Sequence, residues 1–136
     1  GPVVNLASRL EGLTKQLRVP IVLDEIVAAA AREMLPCSEG RIRQLARVLP
    51  YGLERPVTVS ELLPGEAEWP DFTSKHLVDY DEAVDHFLAG RWEQAYRLLR
   101  SMPPSDRAQD VLTGQFVQAG RVAPPDWPGY LRFEGK

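Results

Sequence analysis

Val3-Val4-Asn5-Leu6-Ala7-Ser8-Arg9-Leu10-Glu11-Gly12-Leu13-Thr14-Lys15-Gln16-Leu17 has a helical rhythm. Val3, Leu6, Ala7, Leu10, Leu13 and Leu17 recur at steps of three and four, which gathers them on one buried face of a helix. Asn5, Ser8, Arg9, Gly12 and Gln16 fall opposite. Pro2 suits the first turn, where a backbone N–H is not needed. Asn5 and Arg9 stand one turn apart on the same face, so both side chains can reach one ligand. The amide can donate to a ribose or phosphate oxygen, and the guanidinium is a forked, permanently charged donor suited to phosphate. Taken alone, Asn and Arg at this spacing are usually just a solvated polar face.

Beyond this helix, Val19-Pro20 interrupts and Ile21 to Leu23 predicts a short strand, followed by a helix over Asp24 to Leu35. Arg41 to Leu49 alternates imperfectly between apolar and basic residues. Pro50-Tyr51-Gly52 reads as a turn, and the β-branched run from Pro56 to Leu63 as a strand, which together predict a terminal β-hairpin. Around Pro64-Gly65 the composition shifts to a Pro- and Glu-rich linker, and the domain boundary is placed there, dividing 1–65 from 66–136. The second region predicts helices over Ser74 to Ala89, Trp92 to Ser101 and Ser105 to Ala119, with Gly90 and Gly120 as stops and Ser105 as an N-cap. Ala83 to Leu99 resembles one tetratricopeptide (TPR-like) hairpin. A single copy cannot build a stacked solenoid, so the hairpin is read as a helical cap on the first region.

With 136 residues and 44% hydrophobic content the chain can form a modest core. Its formal net charge of −3 leaves no cationic excess for a phosphate backbone, which argues against a nucleic-acid partner. Cys37 is the only cysteine, so no internal disulfide forms, and the chain suits a reducing, cytoplasmic setting. No apolar run approaches the roughly 20 residues that span a bilayer, so no membrane contact is expected within this segment, although the parent could be anchored upstream. Gly1-Pro2 opens directly onto the helical pattern, which leads to the expectation of a piece of a longer protein.

The string from Gly1 to Glu11 resembles the class III adenylate and guanylate cyclase pattern, in which Gly, Val-Asn, Ala and Arg follow in fixed register. Val19 to Glu25 is similar to that family's next strand and helix start, and Val57-Thr58-Val59-Ser60-Glu61-Leu62 to its closing strand. Gly90-Arg91-Trp92 and Pro125-Asp126-Trp127-Pro128-Gly129 look like the extension of many bacterial members. The resemblance implies an α+β fold: the C-terminal portion of a ferredoxin-like cyclase domain followed by a helical extension. It also implies a nucleoside triphosphate substrate and an active site shared between two chains, as a homodimer or with another cyclase domain. In that site Asn5 would orient the ribose. Arg9 would stabilise phosphate charge while the 3'-hydroxyl attacks the α-phosphate. Magnesium or manganese is implied for the whole enzyme, with its carboxylate ligands outside this segment, so the segment alone is expected to be inactive.

The turn Leu49-Pro50-Tyr51-Gly52-Leu53 lacks the lysines that approach the triphosphate in many relatives. Arg47 and Arg55 are candidate replacements, against a solvated role at the sheet edge. That departure motivates an alternative, a non-catalytic regulatory or dimerisation module. His76 and His86 lack partners at metal-ligand spacing and are read as surface or helix-packing residues. Cys37 is read as a small buried residue. Trp92, Tyr96, Phe116, Trp127, Tyr130 and Phe133 are read as core aromatics rather than a ligand platform.

Overall fold

The computed structural model describes residues 12–50 and 52–132. Among them the chain is α+β, with one four-stranded mixed sheet and five helices. Residues 12–17 are helical (α1), and Leu13 and Leu17 are buried, in phase with the apolar stripe. The helix ends at Arg18, whose φ of 60° lies in the left-handed region, while the Val19 N–H donates to the Thr14 carbonyl. Strand β1, Val22–Asp24, leads directly into α2, Glu25–Met34, because the Asp24 carboxylate accepts from the Val27 N–H at 2.8 Å and caps the helix.

Strands β2, Gly40–Leu49, and β3, Val57–Pro64, form the expected antiparallel hairpin, and β1 pairs antiparallel with the far side of β3. Residues directly opposite share a face. Arg41, Arg43, Ala46 and Val48 of β2 therefore stand with Leu63, Glu61, Val59 and Val57 of β3. The other face carries Ile42, Ser60 and Leu62, and Gly40 lies against Leu62 and Leu35, the residue that caps the end of α2. A bulge between Gln44 and Ala46 breaks the alternation and buries Leu45 as an extra residue. The Gln44 N–H donates at 2.8 Å to Asp81, from a helix across the sheet edge.

Gly65 follows β3 directly and is buried against the 36–40 turn. A Cβ there would lie 2.1 Å from the Ser38 carbonyl oxygen, so only glycine fits. Cys37 sits in that turn, where the Glu39 and Gly40 N–H groups donate to the Pro36 carbonyl, and it is exposed rather than buried. A turn on the surface has no core to offer the thiol.

The helices of the second region are α3, Ser74–Leu88, α4, Trp92–Leu99, and α5, Gln109–Ala119. Thr73 and His76 cap α3 reciprocally, each side chain accepting from the other's backbone N–H. Tyr80, Ala83, Val84 and Phe87 of α3 and Trp92, Ala95 and Leu99 of α4 are buried, with Leu77 and Tyr96 half-buried beside them. Gly90, at φ 86°, turns the chain between the two helices. The α5 start differs from expectation. Its N-cap is Ala108, without a side-chain cap bond, because the Ser105 hydroxyl accepts from the Trp69 indole at 3.1 Å instead. Gly120, at φ 68°, terminates α5 as expected. The chain then returns to the sheet, where β4, Leu131–Arg132, lies parallel beside Val48 and Leu49 of β2.

Candidate functional site

Asn5 and Arg9, the residues expected to carry chemistry, lie outside the described residues, as does Phe133. What the described part of that helix contributes is its anchor. Leu13 and Leu17 join one buried cluster with Val48 and Val59 of the sheet and Phe87 and Phe116 of the second region. Arg18 reaches Asp110 of α5 at 2.9 Å, but both side chains are about half exposed, so this pair adds little stability.

The arginines of β2 form the strongest electrostatic feature among the described residues. A strand that alternates with basic residues would ordinarily turn them to solvent. Here Arg41 and Arg43 face the second region and bind it to the sheet. Arg41 donates through Nε to the Pro64 carbonyl at 3.0 Å, and through its terminal nitrogens to the carbonyls of Phe72 and Trp69. Arg43, only 1% exposed, donates to both Asp106 carboxylate oxygens at 2.7 Å and to Glu61 at 2.8 Å. Its guanidinium carbon lies 4.3 Å from the Tyr80 ring centroid and 4.9 Å from that of Phe72. Glu61 and Asp106 are 5% and 1% exposed. One cation thus satisfies two buried carboxylates, one from the neighbouring strand and one from the loop before α5.

Burial lowers the proton affinity of the Arg43 guanidinium, but the Asp106 hydrogen bonds and the surrounding negative charge outweigh it and hold the pKa up. Burial also raises the Glu61 and Asp81 carboxyls above the usual carboxylate range, against the pull of Arg43 on Glu61 and of the Gln44 N–H on Asp81. A raised pKa means that the folded chain binds these protons more tightly than the unfolded chain, whose carboxylates titrate near about 4. The stability from these two groups is therefore greatest at acid pH and is lost as pH rises through their folded values. The wild type should gain urea stability between pH 7 and pH 5 relative to the Glu61→Gln/Asp81→Asn variant, read from midpoints at each pH.

At the other end of the hairpin a cavity of about 250 Å³ is lined by Asp24, Glu25, Ile26, Arg47, Pro56 and Thr58, among others. Arg47 is exposed there, and Arg55 is exposed in the loop before β3. Neither guanidinium makes an ion pair within 4.0 Å among the described residues. His86 accepts from Arg91 Nε at 2.8 Å, and His76 serves the α3 cap. No group of three or more His, Cys, Asp or Glu side chains converges as a metal site among the described residues. No helix among them is long and apolar enough to cross a membrane.

Sequence reasoning missed the Arg43–Glu61–Asp106 network. A signal was present, since Arg41, Arg43 and Glu61 occupy the inward phase of their strands, but Asp106 lies 63 positions from Arg43 and only the fold brings it there. Comparison with protein-family models, with curated proteins and with solved structures finds no match.

Proposed function

We propose that the chain is the C-terminal part of a class III nucleotide cyclase, forming a cyclic nucleoside monophosphate and pyrophosphate from ATP or GTP. In this reading residues 1–65 complete a ferredoxin-like catalytic domain, and α3 and α4 are a single TPR-like hairpin in a helical extension. One observation carries it: Asn5 and Arg9 are four residues apart in sequence, the spacing of one helical turn, inside a string similar to the cyclase pattern. The helix, strand, helix and hairpin order that follows is the order the resemblance implies, and it supports the reading.

Asn5 would hold the ribose and Arg9 the developing phosphate charge, by positioning and electrostatic stabilisation rather than covalent chemistry. Magnesium or manganese would supply activation of the 3'-hydroxyl from carboxylates of the parent protein's other half-site. The setting is cytoplasmic, with a nucleoside triphosphate and a second cyclase domain as partners. The full-length protein should turn over ATP or GTP with manganese, and Arg9→Ala should lower kcat by about 10²-fold or more, the size of effect of removing one transition-state donor. Unchanged turnover would remove Arg9 from the mechanism.

A second reading, a non-catalytic dimerisation module, is favoured by one feature. Ile26 and Met34, two turns apart on α2, are 82% and 80% exposed with exposed Ala30 between them, an apolar stripe of the kind that pairs chains. Absence of turnover in the full-length protein together with self-association would select it.

A further inference from the structure

A groove of about 790 Å³ runs between α4 and α5. Tyr96 and Phe116 form its base, their ring centroids 5.7 Å apart in an edge-to-face contact. Val117 and Val122 line it and are 78% and 70% exposed. Arg121 lies on its rim at φ 68°, a left-handed conformation that an arginine adopts only against steric resistance and that glycine adopts freely.

The strained turn puts the Arg121 guanidinium carbon 4.4 Å from the Tyr96 centroid, and Arg100 approaches the same ring at 5.9 Å. Neither guanidinium has an ion-pair partner within 4.0 Å among the described residues. The Glu93 carboxylate in the groove is engaged by Arg97 at 3.5 Å. Arg121 thus lines the apolar trough, and Arg97 and Arg100 reach its Glu93 and Tyr96 from beside it, on a chain whose formal net charge is −3. The local sign is opposite to that of the whole.

We propose that this groove binds an acidic peptide segment of a partner protein. A carboxylate of the peptide takes the fork of Arg121, which stacking on Tyr96 holds in place with Arg100 adding charge behind it. A neighbouring aliphatic side chain of the peptide fills the trough between Val117 and Val122. A nucleic acid would need a run of cations tracking its backbone, and this rim offers a cluster beside apolar walls instead.

A random peptide library selected on the 136-residue chain, with subtraction on Arg121→Gly, tests the assignment. Arg121→Gly relieves the left-handed strain, so its melting temperature should be unchanged or higher, and lost binding cannot be ascribed to unfolding. The expected consensus pairs Asp or Glu with an aliphatic residue. A synthetic peptide of that sequence should bind at least tenfold more weakly to Arg121→Gly and to Val117→Asp, and more weakly in high salt. No enrichment over Arg121→Gly, a neutral or basic consensus, or equal affinity for the variants would overturn the proposal. So would Arg121-dependent self-association at micromolar concentration, which would make a second copy the occupant, or Arg121-dependent sedimentation with phosphatidylserine vesicles without peptide binding.

Discussion

Replacing Arg43 by methionine is expected to destabilise the chain by about 3–5 kcal/mol, the cost of leaving a buried charge without its partner. The guanidinium satisfies Glu61 and Asp106 together at 2.7–2.8 Å, and the variant strands both carboxylates behind Phe72 and Tyr80. A domain of this size holds about 5–15 kcal/mol in total, so a large fraction of folded stability would go. The urea midpoint followed by far-ultraviolet circular dichroism should fall accordingly. Replacing the whole triad, as Arg43→Met/Glu61→Leu/Asp106→Asn, should recover much of the loss, since removing all the charges also removes the cost of burying them. A triple variant as weak as the single one would show that the ions contribute more than mutual neutralisation.

Arg41 and Arg43 of β2 also mark where the sequence was legible and where it was not. Helical periodicity located α3 and α4, because their inward residues recur at steps that a single line of sequence displays. Gly120 was legible as a stop because left-handed backbone at a helix end favours glycine. Ser105 misled, since the side chain that suits a helix start bonds equally well to an indole that approaches from the 65–72 loop. Cys37 misled because composition describes the average environment of a thiol and not the turn that carries this one. Strand β4 has only two residues and owes its existence to the neighbouring edge of β2, so no local pattern announces it. The site divides in the same way. The Asn5/Arg9 spacing is a sequence property and falls outside the described residues, whereas the contact of Arg43 with Asp106 is a tertiary property with little local signal.

Truncating Phe87 to alanine should cost about 3–5 kcal/mol, the range for deleting a buried aromatic from a core. Phe87 is 0% exposed and is the hub of the second region. It stacks on Trp92 with centroids 4.9 Å apart, and meets Phe116 edge-on at 5.7 Å and Trp127 at 5.1 Å. Its carbonyl also accepts from the indole N–H groups of Trp92 at 2.9 Å and Trp127 at 3.2 Å. The backbone bonds persist in Phe87→Ala, so the loss isolates ring packing from hydrogen bonding. Two of the three tryptophans of the chain flank that ring, and their near-ultraviolet circular dichroism should collapse before the far-ultraviolet signal does. Phe87→Leu restores volume without the flat face, and should regain part of the stability but little of the aromatic signal. If Phe87→Ala lowers the stability of the second region alone, the sheet stands without it. If both regions melt together, Leu13, Val59 and Phe87 share one core thermodynamically, as they do geometrically.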